Sequence, residues 1–315
     1  MDFSIKQKNS ITHIYFFQAI ILSKKPKIDT VEMNLVFTHF ILKIKPMNNR
    51  PFIPIVLLLI LGVGIWFAWD RGYFQNTQMK NADMMQTNNT SAIVVEDNVE
   101  YFAGAKGYFV RPEAQGNYPG VVMIHENRGL RPEIRQTAKN LAKEGYMVLA
   151  VDLLGGVAED QTGARALTAK FNQQTGIENM KAATVYLRSK GAQKIGSLGW
   201  CFGGKQSVEL AISGEPLDAT VVYYGGGMAT TTERLAPIKW PVLGIFGGAD
   251  QAIPVEMVQA FEASLNTLGV ENEIHIYPGV GHAFANPSGM NYAPTETMDA
   301  WGKTLNFLNN NLKQN

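Results

Sequence analysis

From about residue 95 onward the chain alternates two hydrophobic patterns. Short, nearly unbroken apolar runs (PGVVMIH, YMVLAVD, KIGSLGW, ATVVYYGGG, PVLGIFGGAD, NEIHIYPG) read as buried strands. Between them lie segments whose apolar residues recur every three or four positions: IRQTAKNLAKEG, IENMKAATVYLRSKG, GGKQSVELAIS and PVEMVQAFEASLNTLG. TETMDAWGKTLNFLNNNL closes the chain as a further helix, and VEYFAG with AKGYFVRP opens the region as a strand pair. A strand that is apolar at every position has both faces covered. The pattern therefore predicts an α/β fold: a mostly parallel central sheet with helices on both faces. In such a sheet, sites form at the carboxyl ends of the strands.

The first third reads differently. Phe52 to Trp69 (FIPIVLLLILGVGIWFAW) carries no charge. As a helix it would reach roughly 27 Å, enough to span a bilayer. Lys43, Lys45 and Arg50 precede it, which favours an inside N-terminus and a following domain outside the cytoplasm, in the manner of a periplasmic protein. Cleavage as a signal peptide, with secretion, is the competing expectation. WDRGYFQ follows the run without the small residues a cleavage site uses. Four regions are thus expected: an extension over 1–51, an apolar anchor helix over 52–69, a polar linker over 70–94 and a catalytic-sized domain over 95–315. Met47, followed by NNRP and the apolar run, is the expected start of translation.

Composition narrows the classes. A formal net charge of +1 on 315 residues gives no basic footprint for nucleic acid. The one cysteine, Cys201, excludes an intrachain disulfide and a cysteine-rich metal site. No HExxH pattern is present, and no metal or other cofactor is expected.

That cysteine sits in Gly199-Trp200-Cys201-Phe202-Gly203, directly after the strand KIGSLGW and before a helix. The pattern is a nucleophile elbow with sulfur in the reactive position. The turn is strained, and the flanking glycines let its two arms approach. A helix N-terminus beside the sulfur is expected to lower its pKa. Two of the five histidines follow Cys201. His275 lies inside the strand EIHIYPG; His282 stands in the glycine-flanked loop GVGHAFANP, where a base could reach a neighbouring strand end. Asp250, at the end of PVLGIFGGAD, is the expected acid, with Asp152 as its rival. The elbow order of nucleophile, acid and histidine favours Asp250.

The stretches VVMIHENRGL, YMVLAVDLLGG, GSLGWCFGG, GIFGGAD and YPGVGHAFANP together resemble the dienelactone hydrolase (carboxymethylenebutenolidase) family of the α/β-hydrolase superfamily. The resemblance implies a triad of Cys201, Asp250 and His282. It implies that Glu126 contacts the resting thiol and moves when substrate binds. The oxyanion would be held by the backbone N–H groups of Asn127 and Phe202. The implied substrate is a small ester or lactone; a non-hydrolytic ligand-binding module and an acyltransferase are the alternatives. The chain departs from the family at two arginines said to hold a substrate carboxylate. Asp152-Leu153-Leu154-Gly155-Gly156 has none, and Asn286 stands where the second would be. Arg128, Arg131 and Arg165 are the candidates to replace them.

Overall fold

The computed structural model describes residues 91–313. The extension, the apolar segment 52–69 and the linker through residue 90 lie outside the described residues, as do His13 and His39. Among the described residues, no helix is long and apolar enough to cross a membrane.

The elements run β1 (Ile93–Phe102), β2 (Ala105–Pro112), β3 (Gly120–Ile124), α1 (Pro132–Lys143), β4 (Met147–Val151), α2 (Gln161–Thr168) and α3 (Gln173–Ser189). They continue β5 (Ile195–Trp200), α4 (Phe202–Ile212), β6 (Ala219–Tyr223), α5 (Thr232–Leu235), β7 (Val242–Gly247), α6 (Val255–Thr267), β8 (Asn272–Tyr277) and α7 (Pro294–Leu308). A π-helical turn, Asn309–Lys313, follows. The short helices α2 and α5 were not expected from periodicity: each spans little more than two turns or one. β1 begins two residues before the expected domain boundary.

One eight-stranded sheet carries the order β1-β2-β4-β3-β5-β6-β7-β8. β1, β2 and β4 pair antiparallel; every other neighbour pairs parallel. Every residue of β3, β4, β5, β6 and β7 is buried. Consecutive side chains point to opposite faces, so both faces must be covered. Val121, Val122, Leu149, Leu198, Val221 and Leu243 make the centre of one continuous core with no exposure.

The strand order places the site. The chain passes from β3 out to β4, then returns across β3 to β5. That reversal leaves a crevice beyond the carboxyl ends of β3 and β5, the switch point at which open α/β sheets bind ligands. Glu126 follows β3 and Cys201 follows β5, so both stand at this crevice.

Candidate active site

Cys201 occupies a backbone conformation that L-residues seldom adopt, φ 52° and ψ −112°. The turn is held because its N–H donates to the Tyr223 carbonyl at 3.0 Å and its carbonyl accepts from Lys205 N–H at 3.2 Å. The glycines are steric necessities. A Cβ on Gly199 would lie 2.0 Å from the Gly203 carbonyl oxygen, and one on Gly203 would lie 2.3 Å from that of Ile124.

The loops after β7 and β8 bring the other two groups of the expected triad to the sulfur. His282 Nε2 lies 3.2 Å from Cys201 Sγ. Its Nδ1 lies 2.8 Å from Asp250 Oδ2. Asp250 Oδ1 accepts from the N–H groups of Ala252 at 2.9 Å and Ile253 at 3.1 Å, so the carboxylate is fixed at both ends. That acceptor places the imidazole proton on Nδ1 and leaves the Nε2 lone pair facing the thiol. Ala283 takes φ 59°, turning the chain sharply just after the histidine. The Asp250 side chain is almost fully buried, whereas the His282 side chain keeps 29% of its surface.

Two sequence candidates fall elsewhere. Asp152 accepts from Leu154 and Gly155 N–H groups and closes the turn after β4. His275 stays in β8, 3.7 Å from Glu273.

The electrostatics overturn one expectation. The helix N-terminus was expected to lower the thiol, yet the Cys201 thiol is pushed up to about 12. Burial is the largest cause, followed by the negative charge of Glu126 and, more weakly, of Asp250. The backbone N–H groups of Phe202 and Asn127 favour the thiolate and oppose the rise, but they lose to burial. Those two donors are the pair expected to hold an oxyanion.

Glu126 is partly buried, and desolvation of its carboxyl raises its pKa. Its Oε1 accepts from the Tyr224 hydroxyl at 3.4 Å, and its Oε2 accepts from the Asn286 amide. These bonds, rather than one to the thiol, hold it in place. Tyr224 was missed in the sequence. It is wholly buried at φ 36°, with its ring 5.4 Å from that of His282. Its only signal was position: it closes the apolar run ATVVYY, one residue past β6, at the same edge of the sheet.

A cavity of about 330 Å³ opens beside Glu126, between α1 and the loop after His282. Trp200, Tyr224, Ile134 and Pro287 supply apolar walls, and Arg128 and Arg131 supply charge. Arg131 is engaged by Glu133 at 3.4 Å and by the Ala158 carbonyl at 3.1 Å. The Arg128 guanidinium has no ion-pair partner among the described residues. Arg165 lies on the exposed side of α2 and does not line the cavity.

A model of the dienelactone hydrolase family matches residues 105–312. The chain belongs to that family. A protein of Saccharolobus solfataricus named "Putative carboxymethylenebutenolidase" is 30% identical over 228 residues, 60% of this chain and 88% of that one. One of the same name from Salmonella typhimurium is 28% identical over 218 residues, covering 64% and 81%. Among solved structures, a Klebsiella pneumoniae protein named "Putative Dienelactone Hydrolase" superposes with a TM-score of 0.63. At 24% identity over 69% of this chain and 98% of that one, it bears on the fold alone. As a dienelactone hydrolase family member, the protein is a hydrolase of carboxylic esters or lactones.

Proposed function

We propose that the protein hydrolyses small esters or lactones through a thioester on Cys201, with His282 as base and Asp250 as its orienting acid. The observation that carries this is the line Asp250–His282–Cys201, at 2.8 and 3.2 Å. With the thiol at about 12, only ~10⁻⁵ of it is ionised at pH 7. The proton must therefore leave as the bond forms. Sγ attacks the acyl carbon while Nε2 takes its proton. Asn127 and Phe202 N–H groups receive the oxyanion, each donor worth ~3–4 kcal/mol in comparable sites. The imidazolium then protonates the departing alkoxide, leaving a thioester. Water, deprotonated by the same nitrogen, cleaves the thioester and restores the thiol. The solvent-facing part of His282 gives that water access.

The cavity beside Glu126 is read as the seat of the substrate body. Arg128 is the lining cation without an ion-pair partner among the described residues and shares the cavity with the Glu126 carboxyl, and we read it as the contact for an anionic end of the ester. The test of the whole reading is Cys201→Ala assayed with p-nitrophenyl acetate. Turnover should vanish; a variant that keeps it would refute the triad.

We propose in addition that residues 52–69 tether the domain to a membrane, with the domain outside the cytoplasm. The uncharged apolar run and the preceding Lys43, Lys45 and Arg50 support this. Recovery of the native full-length protein in the wash-resistant membrane fraction is expected; a wholly soluble native protein would contradict it.

A further inference from the structure

His125 directly follows β3 and takes no part in the steps above, yet it touches both segments that supply the expected oxyanion donors. The ring has no solvent exposure. Its Nδ1 lies 2.6 Å from the Glu126 carbonyl oxygen. Its Nε2 accepts the Leu153 N–H at 3.2 Å. An acceptor at Nε2 requires the proton on Nδ1, so one tautomer alone satisfies both partners. The ring also stacks on Phe202, at 6.1 Å between centroids and 15° between planes.

Those contacts have a shared outcome. The Glu126 carbonyl also accepts from Gly129 N–H at 3.2 Å, closing the turn whose second residue is Asn127. That turn is tied again to the loop after β4 where Ala158 N–H donates to the Arg128 carbonyl at 3.0 Å. The imidazole thus clamps the Asn127 turn to the Leu153 loop and rests against the residue that supplies the other oxyanion donor.

We infer that His125 is a positioning residue for the oxyanion pocket: a permanently neutral imidazole that sets the Asn127 N–H relative to the Phe202 N–H. This rests on the hydrolytic reading above. Neutrality is required by the contacts. A protonated ring would turn a second donor onto the Leu153 N–H. Burial disfavours that charge, against the pull of the Asp152 carboxylate and the Glu126 carbonyl. Glutamine can supply one donor and one acceptor in place of the ring; leucine fills the space and supplies neither.

The experiment compares His125→Leu and His125→Gln in the full chain. A displaced oxyanion donor costs less than a removed one, so His125→Leu should lower kcat by about 30-fold with KM changed less than about threefold. Affinity for a trifluoromethyl ketone, which adds to the thiol and places an oxyanion in the pocket, should fall in step with kcat/KM. His125→Gln should restore most of both. The inference is overturned if His125→Leu keeps kcat, or if it weakens the ketone no more than a ground-state product analogue. Nitrogen NMR of the unaltered protein decides the matter even if a variant fails to fold. The His125 ring should remain the neutral Nδ1–H form from about pH 5 to pH 9; titration within that range, or the other tautomer, overturns it. Loss of activity in Cys201→Ala together with a normal His125→Leu would sink this inference and leave the hydrolytic reading standing.

Discussion

Replacing Glu126 by glutamine should make the lone thiol more reactive. The Cys201 thiol stands at about 12 against an ordinary 9.0, which leaves ~10³-fold less thiolate at any pH below both values. Burial is the larger part of that rise, and the substitution leaves it in place. The Glu126 charge is the second cause and is removed entirely. A negative group disfavours a second negative group, so its loss moves the thiol downward. The gain in thiolate is expected to be on the order of tenfold, a fraction of the whole because burial remains. The assay is iodoacetamide alkylation followed by intact mass, and one cysteine in the chain means one site to count. It is run at about pH 9, because burial raises the Glu126 pKa and its ionised fraction is greatest at the alkaline end. Alkylation that is unchanged or slower in the variant would refute the assigned electrostatics, since no other change in the site supplies the same sign.

Three further outcomes are expected. Asp250→Asn should lower kcat by ~10²–10⁴-fold, because the Ala252 and Ile253 N–H groups demand the amide oxygen and turn its NH₂ toward His282. The ring would then carry its proton on Nε2 and could not accept from sulfur; a loss under tenfold would contradict this. Arg128→Gln should raise KM about tenfold for the half-ester of a dicarboxylic acid and leave a neutral ester unaffected; equal changes for both substrates would remove Arg128 from recognition. Gly203→Ala should depress both Tm and kcat, because its Cβ meets the carbonyl oxygens of Ile124 at 2.3 Å and His125 at 2.5 Å. A stable, active variant there would contradict the close approach of the elbow to β3.

The parts of the site readable in the sequence are those fixed by local backbone. A sulfur between two glycines at a strand-to-helix junction can form only one kind of turn. His282 and Asp250 announced themselves as loop residues just past apolar strands. What sequence concealed depends on groups brought together from afar. Asn286 meets Glu126 across 160 positions, and neither residue's surroundings hint at the other. The expected acidic thiol failed for the same reason. The helix N-terminus is local and visible, whereas burial and two carboxylates arriving from other loops are not. Tyr224 read as an ordinary strand aromatic, because only the folded sheet puts its hydroxyl beside Glu126. In the fold, the parallel core followed from unbroken apolar runs, while α2 and α5 were too short to register a helical period.

The raised thiol has a consequence for how the molecule can be watched. A cysteine whose pKa the fold lowers loses that activation on unfolding; here the native arrangement is the quiet one. A chain that has lost the sheet around Cys201 returns its thiol toward 9.0 and to full solvent access. A brief pulse of alkylating reagent near neutral pH therefore marks opened molecules in preference to intact ones. The protein carries, in its single sulfur, a counter for its own excursions from order.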